Sequence, residues 1–457
     1  MRQMVMVGFL QAQNCTTIPA SWRHPDSASD FTSPEYFARI ARTLEEGKFQ
    51  LGFFDDRLGM PEYGGGQYQD AVANGIRCVK MDPIACMMPM AMATTRLGLG
   101  STYSTTYYEP FHVARMFATL DLMTKGRAAW NVVTSLNSTE ARNMGREDVD
   151  EHDARYDQAD EFMEVVHGHW DTWADDALIV DKKSGRFADP AKVKRLDFHG
   201  EHFSSRGPFT VPRSAQGHPV VIQAGQSGRG RRFAAQWGEL IFAHYPSLEG
   251  GKKLLADLKA DTGRTGRDPD SVKSCHLFYP ICAATRGEAE DKRALIDTLP
   301  KDEDALMLLS EALNFDFGSK PLDEPFTDAE LKGMEGLQTI RDRVMENAKT
   351  LGRNPTVREF ARISGRGKLA SPLVGGPKEV ADVLEQWFVE KACDGFVIGT
   401  ACTPGGFEDF VRHVVPELQR RGLYHKDYGG ATLRENCGLA RPPVGAWRGW
   451  RKLTAAE

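Results

Sequence analysis

The sequence predicts an α/β fold, a (β/α)8 TIM barrel with insertions, and three observations lead there. Eight short β-rich runs are spread along 457 residues, most of the intervals between them carry helical apolar spacing, and the runs themselves are nearly all apolar. Strands that are apolar on both faces need cover on both faces, which helices between successive parallel strands supply. Eight such units close into a barrel, and an open doubly wound sheet is the second choice.

In chain order the runs are "MVMVGFL", "FQLGFF", "LGLGSTY", "AAWNVVT", "PVVIQA", "ELIFAH", "CHLFYPIC" and "GFVIGT". After the first, Ser33 is placed to cap a helix that has Pro34 at its first position, Phe37, Ile40, Ala41 and Leu44 on its buried stripe, and Gly47 at its end. A second stripe is Val113, Met116, Phe117 and Leu120, closed by "KGR", and a third is Ala159, Phe162, Met163, Val166 and Trp170. Three stretches exceed the simple alternation. Residues 57–80, with "YGGGQYQD", form a loop on the rim where barrels carry function. Residues 171–218 include "LDFHGEHFSSRGPFTVPRS", a short hairpin with polar turns. Residues 299–373 are charged and partly helical, and are expected to lie over the pocket as a lid. Residues 1–430 then form a single domain, and 431–457 an irregular C-terminal arm suited to subunit contact.

Charged residues make up 26% and the formal net charge is −6, which leaves no basic excess for a nucleic-acid backbone and favours a small-molecule partner. The 8 cysteines are scattered without a C-x-x-C pair, as expected of reduced thiols. No uninterrupted apolar stretch approaches the roughly 18 residues of a membrane span. The expectation is a cytoplasmic protein.

Barrels place function at the C-terminal ends of their strands. Those positions run from Phe53 to Asp56, Thr102 to Thr106, Asn131 to Ser135, Ala224 to Ser227, Phe242 to His244, and Thr400 to Thr403. Apolar and aromatic side chains with hydroxyls and a few amides suit a large planar ligand bonded at its edge and bearing an anion. The turn in "VVIQAGQSGRGRRFAAQWGELIFAH" is not a P-loop, since Arg231 and Arg232 follow Gly230, and not a hydrolase elbow, since Arg229 follows Gly228. It can be an anion cradle made of a helix N-terminus, the Ser227 hydroxyl and nearby arginines, or a capped helix start with surface charge. In "EHDARYDQADEF", His152 and Tyr156 share one face at a helix start, where they can clasp a phosphate or merely cap and pack. The histidines of "HGHW" and "HGEH" lack metal-site spacing, so no metal is expected. Cys15 is more readily a buried structural thiol than a nucleophile.

The chain resembles the bacterial-luciferase-like flavin monooxygenases, in the branch of the nitrilotriacetate, EDTA, dibenzothiophene-sulfone and long-chain alkane monooxygenases. The likeness covers nearly the whole chain and is carried by "SWRHP", "RTLEEGKFQLGFFDD", "TTYYEPFHVARMFATLD", "GRAAWNVVTSLN", "EHDARYDQADEF", "VVIQAGQSGRGRRFA", "CDGFVIG" and "VVPELQRRGLYHKDY". The resemblance implies a two-component enzyme that uses reduced FMN and O2, a separate NAD(P)H:flavin reductase as partner, and a homodimer or homotetramer. It places flavin contacts on Asp56, Thr102, His152, Tyr156 and Ser227, with Asn131 and Ser135 where they can meet the ring or the ribityl chain. Thr17 and Ala312 stand where the sulfone-cleaving members have histidines. Ile18 and Pro61 stand where the alkane branch has a histidine and a tyrosine. The pocket candidates are Phe9, Cys15, Phe53 and Phe242, and the expected substrate is a small apolar or aromatic molecule with a heteroatom. Alternatives are a deazaflavin- or flavin-dependent oxidoreductase without oxygen insertion, and a non-catalytic flavin-binding protein.

Overall fold

The computed structural model describes residues 2–225, 227–245, 247–369 and 372–454, with the side chains of all but 338 and 339. Gln226 of the glycine-rich turn, residues 370–371 at the end of the third insertion and residues 455–457 of the arm lie outside the described residues. Eight parallel strands close a barrel in chain order: β1 (Val5–Gln11), β2 (Leu51–Asp55), β3 (Gly98–Ser104), β4 (Ala128–Val133), β5 (Val220–Gln223), β6 (Leu240–Ala243), β7 (Lys273–Phe278) and β8 (Gly395–Ile398). Each falls within or overlaps one of the eight apolar runs, and β8 returns to β1 with Val5 opposite Gly395.

Register decides what reaches the lumen. Phe9 pairs with Phe53 and Gln11 with Asp55, Phe53 pairs with Gly100, and Thr102 pairs with Asn131. Side chains alternate along a strand, so each of these layers is built from every second residue. Val5, Val7, Leu51, Phe53, Ala129, Ile222, Phe242, Cys275 and Val397 form one buried cluster. Buried apolar groups of this size each contribute roughly 1.5–3 kcal/mol.

Helices cover the outside. Helix α1 (Pro34–Glu46) starts where Ser33 accepts a hydrogen bond from the Tyr36 N–H, and it buries Phe37, Ile40, Ala41 and Leu44. Helix α2 (Pro83–Ala93), capped by Asp82, was not legible as an amphipathic stripe because "PIACMMPMAMA" is apolar all round. Helices α3 (Pro110–Met123), α4 (His152–Trp170) and α5 (Gly228–Trp237) follow β3, β4 and β5.

Residues 299–373 fold around a core of their own, with Leu306, Leu309, Leu313, Phe317, Phe326, Val344, Val357 and Phe360 buried together. Their first long helix, α6 (Asp302–Leu313), docks on residues 57–80: Met307 and Leu308 pack with Ala71 and Ile76. The Asp304 carboxylate takes both terminal nitrogens of Arg23, at 2.7 and 3.1 Å. Asp316 accepts the N–H groups of Gly64 and Gly65 at 2.7 and 2.6 Å, one on each oxygen. Both glycines have positive φ, +65° and +86°, which lets the loop turn its amides toward the carboxylate.

The hairpin expected in residues 171–218 is present as Phe198–His199 paired with Ser204–Ser205. Glu161 of α4 accepts the backbone N–H groups of Glu201, His202 and Phe203 beside it. The tail expected as an irregular arm carries a short helix. Thr432 caps the helix Leu433–Cys437, and Leu433, Cys437 and Leu439 join the lumen cluster with Val5, Leu51, Val220 and Leu240. Arg434 binds both oxygens of Glu239, at 2.5 and 2.9 Å. The apolar residues after Gly430 therefore serve as a plug for the N-terminal end of the barrel.

Candidate active site

At the C-terminal mouth, aromatic side chains give way to polar ones. The Phe9 and Phe53 rings stack with centroids 5.6 Å apart, and Phe242 meets Phe53 edge-on at 4.9 Å. One layer above, Thr102 Oγ1 donates to the Phe54 carbonyl at 2.9 Å and accepts from Asn131 Nδ2 at 2.9 Å. Asn131 Oδ1 is buried and has no hydrogen-bond partner among the described residues, whereas the Gln11 amide faces the Asp55 carboxylate. Leaving such a group unpaired costs about 1–3 kcal/mol. An acceptor held open at a barrel mouth is what the donor edge of a polar ring system requires.

The two aspartates that follow differ. Asp55 pairs with Gln11 in register, and burial raises its carboxyl against the pull of Lys80, Arg77 and Arg57. Asp56 stands at the rim, its Oδ1 accepting the Arg57 N–H at 2.8 Å. Burial pushes its carboxyl up to about 7, with Lys80 opposing. Ser135 has φ +45° and its hydroxyl bonds to that of Ser104 at 2.9 Å.

A second polar cluster forms where the N-termini of α4 and α5 meet. Ser227 caps α5 by accepting the Gly230 N–H at 3.0 Å, and its Oγ lies 3.3 Å from His152 Nε2. Tyr156 is buried against them. Burial raises its phenol above the ordinary value, while Thr134 and Ser227 beside it pull the other way. A Cβ on Gly225 or on Gly230 would stand 2.7 Å from the Tyr156 hydroxyl, so a larger residue at either place would displace that hydroxyl. Two hydroxyls, an imidazole and the N–H groups of a helix start are thus brought together, a set of groups that suits a phosphate.

The arginines of that turn do less than expected. Arg229 reaches back to Asp160 at 2.5 Å and Asp157 at 3.1 Å, and Arg231 pairs with Asp261 at 3.2 Å. Only Arg232 has no ion pair among the described residues. Cys15 is buried beside Gln13, and burial pushes its thiol up to about 11, which disfavours the thiolate form. Among the described residues no group of three His, Cys, Asp or Glu side chains could hold a metal ion. No helix among them is long and apolar enough to cross a membrane.

The residues brought together are therefore Thr102 with Asn131, Phe9 with Phe53 and Phe242, and His152 with Tyr156 and Ser227. Asp56, Ser135 and Cys15 each stand with other partners. Gln11 was missed, and Asp55 was covered only as part of the Phe53 to Asp56 stretch, although the alternations Val5, Val7, Phe9, Gln11 and Leu51, Phe53, Asp55 were there to single them out. Arg57, Arg77 and Glu311 were missed because nothing in sequence ties two insertions together. Glu311 of α6 lies 3.0 Å from Arg77 and 3.7 Å from Arg57. Against the upward push of burial, Arg57, Arg77 and Lys80 hold its carboxyl at about 2.

Comparison with known proteins adds a lineage. The family model described as luciferase-like monooxygenase matches residues 14–394. Dibenzothiophene-sulfone monooxygenase from Rhodococcus erythropolis is 43% identical over 97% of this chain and 98% of that protein. The crystal structure of DmoA from Hyphomicrobium sulfonivorans superposes with a TM-score of 0.85 at 34% identity, covering 97% of this chain and 94% of that one. A crystal structure of riboflavin lyase with modified FMN and substrate riboflavin gives a TM-score of 0.85 at 32% identity, covering 97% and 98%.

Proposed function

The chain belongs to the luciferase-like monooxygenase family, and from that premise we propose that it is the oxygenase component of a two-component system, supplied by a separate NAD(P)H:flavin reductase. It is a monooxygenase, with reduced FMN as cofactor and dioxygen as co-substrate. Bound reduced FMN supplies the two electrons with which dioxygen is divided between the substrate and water.

The residues present fit that cofactor. Tyr156, Ser227 and His152 would hold the phosphate together with the α5 N-terminus, and Asn131 Oδ1 would find its missing partner on the polar edge of the ring. Thr102 fixes the Asn131 amide, Asp56 and Ser135 line the rim, and Phe9, Phe53 and Phe242 keep water from the lumen side. Residues 299–373 close the mouth from above and keep bulk water from the reacting atoms. The substrate is a small organic molecule oxygenated at or beside a heteroatom, as supported by the sulfone for which the Rhodococcus relative is named. The enzyme works in the cytoplasm as a homodimer or homotetramer.

The observation that carries the FMN reading is the convergence of Tyr156 and Ser227 on Gly225 and Gly230, where no Cβ fits. It is tested by titrating the protein with FMN and with riboflavin in a calorimeter. FMN is expected to bind at least about tenfold more tightly, one charge-assisted contact being worth that much. Equal affinities would remove the phosphate site from the reading.

A further inference from the structure

At the barrel mouth, the side chain that Gly399 lacks is replaced by a ring from the neighbouring strand. On β7, Cys275 belongs to the lumen cluster and Leu277 packs against it, so the next residue turned to the lumen is Tyr279. On β8, Val397 belongs to the same cluster. The ladder runs one residue past that strand, where the Gly399 N–H donates to the Phe278 carbonyl at 2.8 Å. Ile398 pairs with Gly8 on one side and with Phe278 on the other, which sets Gly399 level with Phe9 and with Tyr279. A Cβ on Gly399 would lie 2.4 Å from Tyr279 Cε1 and 2.7 Å from its Cδ1. The phenol ring therefore lies across the glycine, toward the end of β1. There the Thr17 hydroxyl donates to that of Tyr279 at 3.1 Å. Since Phe9 pairs with Phe53, Tyr279 extends the aromatic layer of the mouth and adds a hydroxyl at its edge.

Two hydroxyls joined by one hydrogen bond hold two hydrogens and use one. Thr17 commits its own, and neither hydroxyl has another partner among the described residues, so the phenol hydrogen is left over. Thr17 is fixed from behind: Arg77 donates to its carbonyl at 3.2 Å and to Glu311 of α6 at 3.0 Å. Burial raises the Tyr279 phenol above its ordinary value, with Thr17 opposing, so the hydroxyl keeps its proton at neutral pH. Both residues are half-buried. Once water is excluded from the mouth, a spare donor at the edge of an aromatic layer is unfavourable unless an acceptor meets it. We propose that Tyr279 is a specificity residue whose hydroxyl, held by Thr17, donates to a neutral oxygen acceptor of the substrate, a carbonyl or sulfinyl oxygen, while the apolar part of the substrate lies along Phe9 and Phe53. This rests on the mouth being the site of oxygenation, and it adds a polar group to what the substrate must carry. Tyr279 orients the substrate and takes no part in bond making.

The test titrates the full-length chain, saturated with FMN, with acetophenone and methyl phenyl sulfoxide, which carry an oxygen acceptor, and with methyl phenyl sulfide, which lacks one. Tyr279→Phe keeps the ring over Gly399 and removes only the hydroxyl. Calorimetry is expected to show this variant binding the first two probes about threefold to tenfold more weakly than the parent, the worth of one neutral hydrogen bond. Affinity for the sulfide and for FMN should be unchanged. In infrared difference spectra the carbonyl stretch of bound acetophenone should lie at lower frequency in the parent than in Tyr279→Phe. The proposal is overturned if the parent binds neither acceptor probe, or if Tyr279→Phe binds them as the parent does or leaves the carbonyl stretch where it was. It is also overturned if the sulfide is weakened equally, because the ring then acts by packing alone, or if FMN affinity falls as far, because the hydroxyl is then a flavin contact. A parent that takes up no FMN defeats the functional reading instead, and the same titrations without FMN still decide the role of Tyr279.

Discussion

Asn131 gives one amide hydrogen to the Thr102 hydroxyl at 2.9 Å, and this bond turns its oxygen into a buried position where no other group meets it. The pair is pre-set for a ligand donor. Asn131→Leu should leave the FMN-free chain within about 1 kcal/mol of the parent, because the unsatisfied oxygen disappears along with the Thr102 bond. FMN binding should weaken by about tenfold or more. Urea denaturation with and without FMN measures both, and an unchanged FMN-induced shift would show that the oxygen is not a flavin contact.

Removing either hydroxyl of the cradle, by Ser227→Ala or Tyr156→Phe, should cost about 1.5–3 kcal/mol of FMN binding, roughly tenfold to a few hundredfold in Kd. Gly230→Ala should lose at least as much, since its Cβ would stand 2.7 Å from the Tyr156 hydroxyl and 3.0 Å from Ser227 Oγ. Riboflavin affinity, which has no phosphate to lose, should hardly change in the two hydroxyl variants. Equal losses for both ligands would point to misfolding of the turn.

Glu311 gives a pH dependence of definite sign. Its carboxyl stands at about 2 in the folded chain and near 4.3 in an unfolded one. The stabilisation by Arg57 and Arg77 is therefore complete above roughly pH 4.3 and disappears as the pH falls toward 2. Hydrogen exchange across residues 299–373 should accelerate over that window before the barrel itself yields. Glu311→Gln should loosen the insertion at neutral pH and abolish the acid dependence, and protection equal to the parent's would refute the coupling.

Asp56 has the opposite sign. Burial lifts its carboxyl from 3.8 to about 7, so the folded chain holds that proton more tightly than the unfolded one. Its contribution is most favourable below pH 3.8 and is lost as the pH rises through 7. Asp56→Asn should raise Tm more at about pH 8 than at about pH 5. Equal shifts at both values would mean that the carboxylate is better solvated than its burial indicates.

Leu433 is fully buried under the lumen, and a Cβ on Gly98 would lie 2.6 Å from its Cδ1. Leu433→Ala should cost about 2–5 kcal/mol of stability. Because the plug and the proposed flavin cradle lie at opposite ends of the strands, FMN affinity of the folded fraction should not change. A parallel loss of FMN affinity would show that the two ends are coupled.

The barrel was legible because each strand is short, apolar and followed by a turn or a helix, so β1 to β8 could be read one at a time. The proposed phosphate cradle was half legible. Ser227 is a local capping signal and His152 and Tyr156 share a helix face, but that the two segments meet is a property of the closed barrel. The arginines of the turn misled because charge in sequence does not say which carboxylate will claim it, and Asp157, Asp160 and Asp261 claimed two of the three. The mouth was least legible: Glu311 comes from one insertion and Arg57, Arg77 and Lys80 from another, and no periodicity connects them. The helix Leu433–Cys437 was not legible because a stretch of five residues is too short to announce a buried face.

The Asp316 carboxylate that grips Gly64 and Gly65 has a bearing on how this enzyme can be re-engineered. Grafting residues 299–373 from a relative onto this barrel would bring an acceptor without its matching pair of amides, or leave those amides pointing at nothing. Recombination breakpoints for altering substrate choice therefore belong outside both segments, so that residues 57–80 and 299–373 are exchanged as one cassette.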